Sequence, residues 1–305
     1  MVQRKGPESK GDAAWKDILR GLDSVLAFAR SLKLHKQVAT SRFLNHHRPR
    51  LVDLTASPSG RARSIELADM IALAEAAELA GIDPFLRQAD PRILRRKLRY
   101  VLGGPALPSD ETPSSNQPRN TLFELNTASK LFFARVTPTL LPDRPDLSCT
   151  IDGTPLFIEC KRVLTEGGAK RRLSDAFAKL ESESTKDRPS TRGVVAISIA
   201  KLLLQEGEHF LTAPNRAAIP RGLGELIDEK ADLLKASWAR YGTKVIGVLF
   251  HVIIPAVQSD RNVLGVVEQT HSRVLAPQKS RDWRTFQRLC ARLEARNTDQ
   301  PPSRA

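Results

Sequence analysis

The sequence predicts a mixed α/β fold that is preceded by a helical region. Apolar stretches of strand length alternate with segments in which apolar residues recur at helical spacing. An Asp-Gly pair, typical of a two-residue hairpin turn, lies between two of the apolar stretches. A stretch rich in Gly, Pro and Ser precedes this part of the chain. The chain has 305 residues, which is enough for two ordinary domains.

Three helices are predicted in the N-terminal region. The first covers about 12–34, where apolar residues recur every three or four positions. The second begins at Ser64, a suitable N-cap, and ends at Gly81, a suitable stop. The third follows Asp90 and Pro91, a pair typical of an N-cap and a first helical position.

The composition divides the chain into four parts. Residues 1–102 are predicted to form the helical region. Residues 103–118 are predicted to be a linker, because nine of these sixteen are Gly, Pro or Ser. Residues 119–270 are predicted to form the α/β domain, and residues 271–305 a basic helix followed by a disordered tail.

Within the α/β domain, the predicted order is helix, strand, strand, helix, strand, helix and strand. A further short strand is expected at 135–141. The two adjacent strands are joined by the turn Asp152-Gly153. The predicted elements are helix 120–134, strands 146–151 and 155–163, helix 169–184, strand 193–200, helix 223–241 and strand 244–254.

Charge and composition favour a cytoplasmic protein with a polyanionic partner. Lys and Arg number 48 against 34 acids, a net charge of +14, so nucleic acid is the first expected partner. No apolar run is long enough to span a bilayer, and the N-terminus lacks a signal-peptide core. The three cysteines, Cys149, Cys160 and Cys290, suit neither a disulfide framework nor a zinc cage.

A catalytic pattern lies on the second strand of the hairpin. Side chains alternate across a strand, so Glu159 and Lys161 share one face and Cys160 lies on the other. A small register shift or bulge could bring Asp146, at the start of the partner strand, close to Glu159. Two carboxylates can hold Mg²⁺, and an ammonium beside them can stabilise charge on a phosphate.

These residues resemble the signature of a known family. Pro145-Asp146, twelve further residues and Glu159-Cys160-Lys161 are similar to the motif of the PD-(D/E)xK nuclease superfamily. The resemblance covers about 119–255. It implies a restriction-endonuclease-like fold, with an α-β-β-β-α-β core and a mixed sheet, and cleavage of phosphodiester bonds.

The resemblance also implies roles for individual residues. Asp146 and Glu159 would be ligands of Mg²⁺ or Mn²⁺, joined by the backbone carbonyl of Cys160. Lys161 would position the attacking water and stabilise the transition state. Glu124 matches the acid on the first core helix, which assists metal or water binding.

Each assignment has an alternative at this stage. Glu159 and Lys161 could be a surface ion pair, which contributes little to stability. Asp143 also follows a proline and competes with Asp146. Thr121 and Glu124 have the spacing of a helix capping box.

Basic side chains are the candidates for contact with a nucleic acid backbone. One group follows the motif, and another lies on the helix after Pro91; the alternative is simple solvation of these side chains. The candidates are Arg162, Lys170, Arg171, Arg172, Arg95 and Arg96. The expected function is that of a metal-dependent nuclease acting on DNA, and its N-terminal helices would bind substrate, a protein partner or a second copy. A nuclease-like protein that binds nucleic acid without cleaving it, or an interaction protein with acidic partners, are the alternatives.

Overall fold

In the described part of the chain, the fold is built around a seven-stranded mixed sheet. In the computed structural model, the described residues are 10–56, 66–107, 110–112, 115–142, 145–186, 190–203, 211–213, 218–235, 244–259 and 263–299. The predicted α/β class is therefore confirmed.

The N-terminal region is helical, as predicted. Its elements are α1 (Lys10–Ser31), α2 (His35–Ala39), a π-helical turn (Phe43–His47), α3 (Arg48–Ala56), α4 (Leu67–Ala80), α5 (Asp83–Leu86) and α6 (Pro91–Val101). Asp90 caps α6, because its side chain accepts a hydrogen bond from the backbone N–H of Arg92. The proposed cap Ser64 lies outside the described residues, and Glu66 caps α4 instead, in a capping box with Asp69.

The remaining helices and strands follow α6. They are α7 (Gln117–Phe133), β1 (Thr139–Leu140), β2 (Leu147–Ile151), β3 (Thr154–Arg162), α8 (Glu166–Lys186), β4 (Arg192–Ser198), α9 (Ala200–Leu203), β5 (Leu211–Ala213), α10 (Ala218–Leu234), β6 (Val245–Gln258), β7 (Val263–Val274) and α11 (Arg281–Asp299). The strands lie in the order β1-β2-β3-β4-β6-β5, and β7 pairs with β6. Strands β1, β2 and β3 form an antiparallel meander, β3, β4, β6 and β5 are parallel, and β7 is antiparallel to β6. Each predicted element has a counterpart, although residues 236–241 of the predicted helix 223–241 lie outside the described residues.

The hairpin between β2 and β3 has the predicted turn. Asp152 and Gly153 have φ angles of 46° and 77°, so both lie in the left-handed region that a tight hairpin turn of this kind requires. Glycine adopts this conformation without a steric penalty, and aspartate tolerates it better than most residues.

Strand β7 was not predicted. The assignment of residues 271–305 to a helix and a tail is wrong for residues 271–274, which belong to this strand. The second half of β7 is polar, so its sequence lacks the apolar pattern of a strand. Twelve residue pairs join β7 to β6, from Gly247↔Val274 to Gln258↔Val263. This pairing stabilises the strand although its sequence has no apolar pattern. Helix α11 is present as predicted, and the predicted tail beyond residue 299 lies outside the described residues.

The two largest hydrophobic clusters of the described residues cover the two faces of the sheet. The first contains Leu156 and Ile158 of β3 together with residues of the N-terminal helices, α7 and α11. The second packs α8 and α10 against β4 and β6. The first cluster extends across the predicted linker 103–118, so the helical region and the sheet share one core.

The ring of Phe286 on α11 lies where a Cβ atom at Gly247 would be, and the missing side chain permits this close packing. Among the described helices, none is long and apolar enough to cross a membrane.

A half-buried carboxyl group on α4 is expected to make stability depend on pH. Burial raises the pKa of Glu78 from 4.5 to about 7, and the negative charges of Glu75 and Glu268 contribute, against opposing effects of Arg162 and Lys130. The folded chain therefore keeps a proton that the unfolded chain releases as pH rises from about 4.5 to 7. The free energy of unfolding should fall across this window, by on the order of 2 kcal/mol, and then level off.

Urea unfolding between pH 5 and 8 should show this decrease in the parent and a smaller decrease in Glu78→Gln, which mimics the protonated acid. An unchanged slope in Glu78→Gln would contradict the assignment.

Candidate functional site

A cavity of about 820 Å³ lies between α6, α7, α8 and the hairpin. Its walls contain three of the four predicted catalytic side chains, Glu124, Asp146 and Lys161. Cys160 also lines the cavity, together with Arg162, Arg171 and Arg172 from the end of β3 and the first turns of α8.

The strand register brings Asp146 to the motif. Leu147 pairs with Ile158, so one further step along the hairpin places Asp146 opposite Glu159. The bulge or shift considered from the sequence is not needed. Asp146 Oδ2 accepts a hydrogen bond from the backbone N–H of Cys160 at 2.7 Å, which fixes the carboxylate against β3. The competing Asp143 lies outside the described residues.

Glu159 and Lys161 share one face of β3, as predicted, and they form a buried pair. Lys161 Nζ lies 2.5 Å from Glu159 Oε1, and Lys179 Nζ of α8 lies 3.8 Å from the same atom. The side chain of Glu159 is fully buried and that of Lys161 is 12% exposed. The alternative of a surface ion pair is therefore wrong. In the part of the chain that the structure describes, Lys161 lines the cavity and Glu159 does not.

Glu124 enters the cavity from α7 and pairs with a lysine from α6. Lys97 Nζ donates to Glu124 Oε2 at 2.6 Å, and both residues are buried. Burial raises the pKa of Glu124 to about 7, helped by the negative charge of Asp146 and opposed by Lys97 and Lys161. The capping-box alternative is wrong, because α7 begins at Gln117 and Thr121 Oγ1 donates to the backbone carbonyl of Gln117.

Cys160 is part of the hydrophobic core, as its position on the strand predicted. It is 6% exposed and belongs to the same cluster as Ile158. Burial raises the pKa of its thiol well above the ordinary value, with further contributions from the charges of Asp146 and Glu124. The thiol therefore stays protonated and packs as a small apolar group.

The predicted phosphate-binding residues separate into two groups. Arg96, Arg162, Arg171 and Arg172 line the cavity, whereas Arg95 and Lys170 are exposed on α6 and α8 beside it. Arg162 is already engaged, because its Nη1 donates to both oxygens of Glu111 at 2.7 and 2.8 Å. Arg172 Nη1 donates to the backbone carbonyl of Arg162, which fastens the start of α8 to the end of β3.

Several side chains of the site were not identified from the sequence. Lys97 is one of these side chains, and helical spacing alone would place it on the buried face of α6 with Leu94, Leu98 and Val101. Glu111 lies in the predicted linker, where no pattern distinguishes it. The others are Tyr100, Asn116, Gln117, Asn120 and Asp175, which line the cavity, and Lys179.

The donor set fits a hard cation in part. Within the described residues, no group of three or more His, Cys, Asp and Glu side chains is arranged to hold a metal ion, so Asp146, Glu159, Glu124 and Cys160 do not form such a group. Mg²⁺, however, is commonly held by one or two carboxylates together with waters and substrate phosphates. Asp146 and Glu124 line one cavity and are close enough for one charge to raise the pKa of the other acid, which is an arrangement that a cation relieves.

Comparisons of the chain with protein-family models, with curated proteins and with solved structures found no match. The geometry of the site is therefore the basis for a functional assignment.

Proposed function

We propose that the chain is a metal-dependent nuclease that hydrolyses phosphodiester bonds of DNA. One observation carries this proposal: two carboxylates and a lysine share a cavity that is lined by arginines. Asp146, Glu124 and Lys161 provide groups for a divalent cation and for charge on a phosphate, and Arg96 and Arg171 provide positive charge for the backbone.

The order of elements around the cavity supports the same proposal. Helix α7 precedes the meander β1, β2 and β3, which is followed by α8 and by β4, a strand parallel to β3. This is the α-β-β-β-α-β order that the resemblance to the PD-(D/E)xK superfamily implies. The fold proposed here is therefore restriction-endonuclease-like.

The proposed reaction is direct attack of water on a phosphodiester. Asp146 and Glu124 would hold Mg²⁺ or Mn²⁺, with the Cys160 carbonyl as a further candidate. When bound, the metal supplies a Lewis acid for a phosphoryl oxygen and lowers the pKa of a bound water. The attacking water forms a P–O bond and loses a proton to the surrounding water. The P–O bond to the leaving oxygen breaks, and that oxygen takes up a proton from water. Lys161 stabilises the negative charge that develops on the phosphate oxygens, and Glu159, 2.5 Å from Lys161 Nζ, holds this side chain in place.

A second candidate is a nuclease-like protein that binds nucleic acid without cleaving it. The observation in its favour is the charge balance of the site. Lys97 neutralises Glu124 at 2.6 Å and Lys161 neutralises Glu159 at 2.5 Å, so both acids have a cationic partner without a metal. Binding would then depend on the arginines alone.

Cleavage of supercoiled, linear and single-stranded DNA, measured with Mg²⁺, Mn²⁺ or EDTA, tests the proposal. We expect metal-dependent cleavage by the parent and a loss of at least about 100-fold in Asp146→Asn, because asparagine can still accept the Cys160 N–H but lacks the charge. Equal cleavage by both proteins would mean that the site is wrong. Binding that weakens with salt but gives no cleavage under any condition would favour the second candidate.

A further inference from the structure

The size of the cavity suits one nucleotide unit beside its acidic and basic groups. Its volume of about 820 Å³ is within the range of about 300–1,000 Å³ for pockets that enclose one small molecule. Asp146, Glu124 and Lys161 line this space, so a phosphate that reacts with them must enter it. A base that is stacked and paired in a duplex cannot lie in this pocket, whereas an unpaired base can.

An exposed aromatic ring lines this cavity. Tyr100, on the last turn of α6, is 47% exposed and lines the cavity together with Arg96, one turn earlier. The other large apolar side chains that are exposed in the described chain, Val52, Leu67 and Phe133, do not line it. An aromatic face beside a guanidinium is a common platform for stacking a base and binding its phosphate.

The lining of the cavity also contains two amide side chains that need further hydrogen bonds. Asn120 Nδ2 donates to Asn116 Oδ1 at 3.2 Å, and both residues line the cavity. This leaves the amide nitrogen of Asn116 and the carbonyl oxygen of Asn120 without a hydrogen-bond partner among the described residues. Asn116 is only 6% exposed, and a buried amide without a partner is costly.

The orientation assigned to these two amides does not change the result. If both are turned over, the bond between them is reversed, and one donor and one acceptor again remain. The edge of a nucleobase presents donors and acceptors side by side and would complement this pair.

We propose that the cavity binds one unpaired nucleotide of a single-stranded nucleic acid. The base stacks on Tyr100, its edge bonds to Asn116 and Asn120, and the adjoining phosphate lies near Arg96 and Arg171. The inference deepens the proposed nuclease function and rests on it only for the assignment of this nucleotide as substrate. It predicts that single strands, or unpaired ends and flaps, are preferred to uninterrupted duplex.

Binding in EDTA tests this inference without cleavage. We expect a labelled single-stranded oligonucleotide to bind the full-length protein more tightly than the same sequence as a duplex. Tyr100→Leu should weaken single-strand binding about ten-fold, because loss of one base-aromatic stack costs about 1–3 kcal/mol. Tyr100→Phe, which keeps the ring, should recover most of this affinity, and Asn120→Leu should weaken binding about five-fold. Phe133→Leu, at an exposed ring outside the cavity, is the matched control and should leave binding unchanged.

A fluorescent base analogue reports the stack directly. An oligonucleotide that contains 2-aminopurine should lose fluorescence on binding the parent and Tyr100→Phe, but not on binding Tyr100→Leu. Equal or tighter binding of duplex, or equal binding by the leucine and phenylalanine variants, would overturn the inference. Tyr100-dependent binding of single strands without metal-dependent cleavage would contradict the nuclease proposal and leave this inference intact. Cleavage combined with a preference for duplex would contradict this inference and leave the nuclease proposal intact.

Discussion

Cleavage by Lys161→Met is expected to fall by about 100- to 1,000-fold, the usual cost of removing one group that stabilises charge in a transition state. The structure gives the reason. Lys161 lines the cavity together with Asp146, and its ammonium lies 2.5 Å from the buried Glu159. Because the ammonium acts on charge that develops during the reaction, the loss should appear in kcat, with little change in KM.

Lys179→Met is the matched control for this prediction. Lys179 provides a second ammonium near Glu159, 3.8 Å from the same oxygen. Lys179 is not among the described residues that line the cavity. Its variant disturbs the environment of Glu159 without removing a cation from the cavity, so we expect cleavage within about three-fold of the parent. Urea unfolding of both variants separates loss of activity from loss of folding. An equal loss of cleavage in the two variants would mean that Lys161 acts only by balancing the charge of Glu159.

The part of the site that lies on the hairpin could be predicted from the sequence. Asp152-Gly153 determines the turn, the turn determines the register, and strand alternation places Glu159 and Lys161 on one face. These rules act between neighbours in the sequence. The position of Asp146 followed from them to within one residue of register.

The partners of these residues could not be predicted, because they come from distant segments. Lys97 is 27 residues from Glu124, and Glu111 is 51 residues from Arg162. No local rule connects such pairs, since the contact depends on how α6 and the following segment pack on α7 and β3. The same reason explains β7, whose polar Glu268 is paired with Lys130 of α7 at 2.7 Å. A strand that carries such a residue does not show an apolar pattern.

Disruption of a buried ionic cluster beside the first hydrophobic cluster is expected to cause the largest loss of stability. Glu75 of α4 lies at its centre: Oε2 accepts from Arg42 Nε at 2.8 Å, and Oε1 accepts from Arg119 Nε at 2.6 Å. Arg42 and Arg119 are only 2% and 4% exposed. Burial alone would raise the pKa of Glu75, but the charges of Arg42 and Arg119 and a hydrogen bond from His47 hold it well below its ordinary value.

Glu75→Leu should lower the free energy of unfolding by about 3–5 kcal/mol, because two guanidinium groups would remain buried without their counterion. Glu225→Leu, at an exposed position of α10, is the control and should change stability by less than about 0.5 kcal/mol. The combined variant Arg42→Met, Glu75→Leu and Arg119→Met should regain much of the loss, since it removes the charges together. Urea unfolding measures all three. A combined variant less stable than Glu75→Leu would show that the arginines act through other contacts.

Those other contacts connect the cluster to the cavity. Arg42 Nη1 donates to the carbonyl of Val101 at 2.8 Å, and Arg119 Nη2 donates to that of Pro105 at 3.1 Å. The cluster therefore holds the segment between α6 and α7, the two helices that bring Lys97 and Glu124 together. If this connection is correct, Glu75→Leu should reduce cleavage even at temperatures where the variant stays folded, and Glu225→Leu should not. Full cleavage by folded Glu75→Leu would confine the cluster to a role in stability.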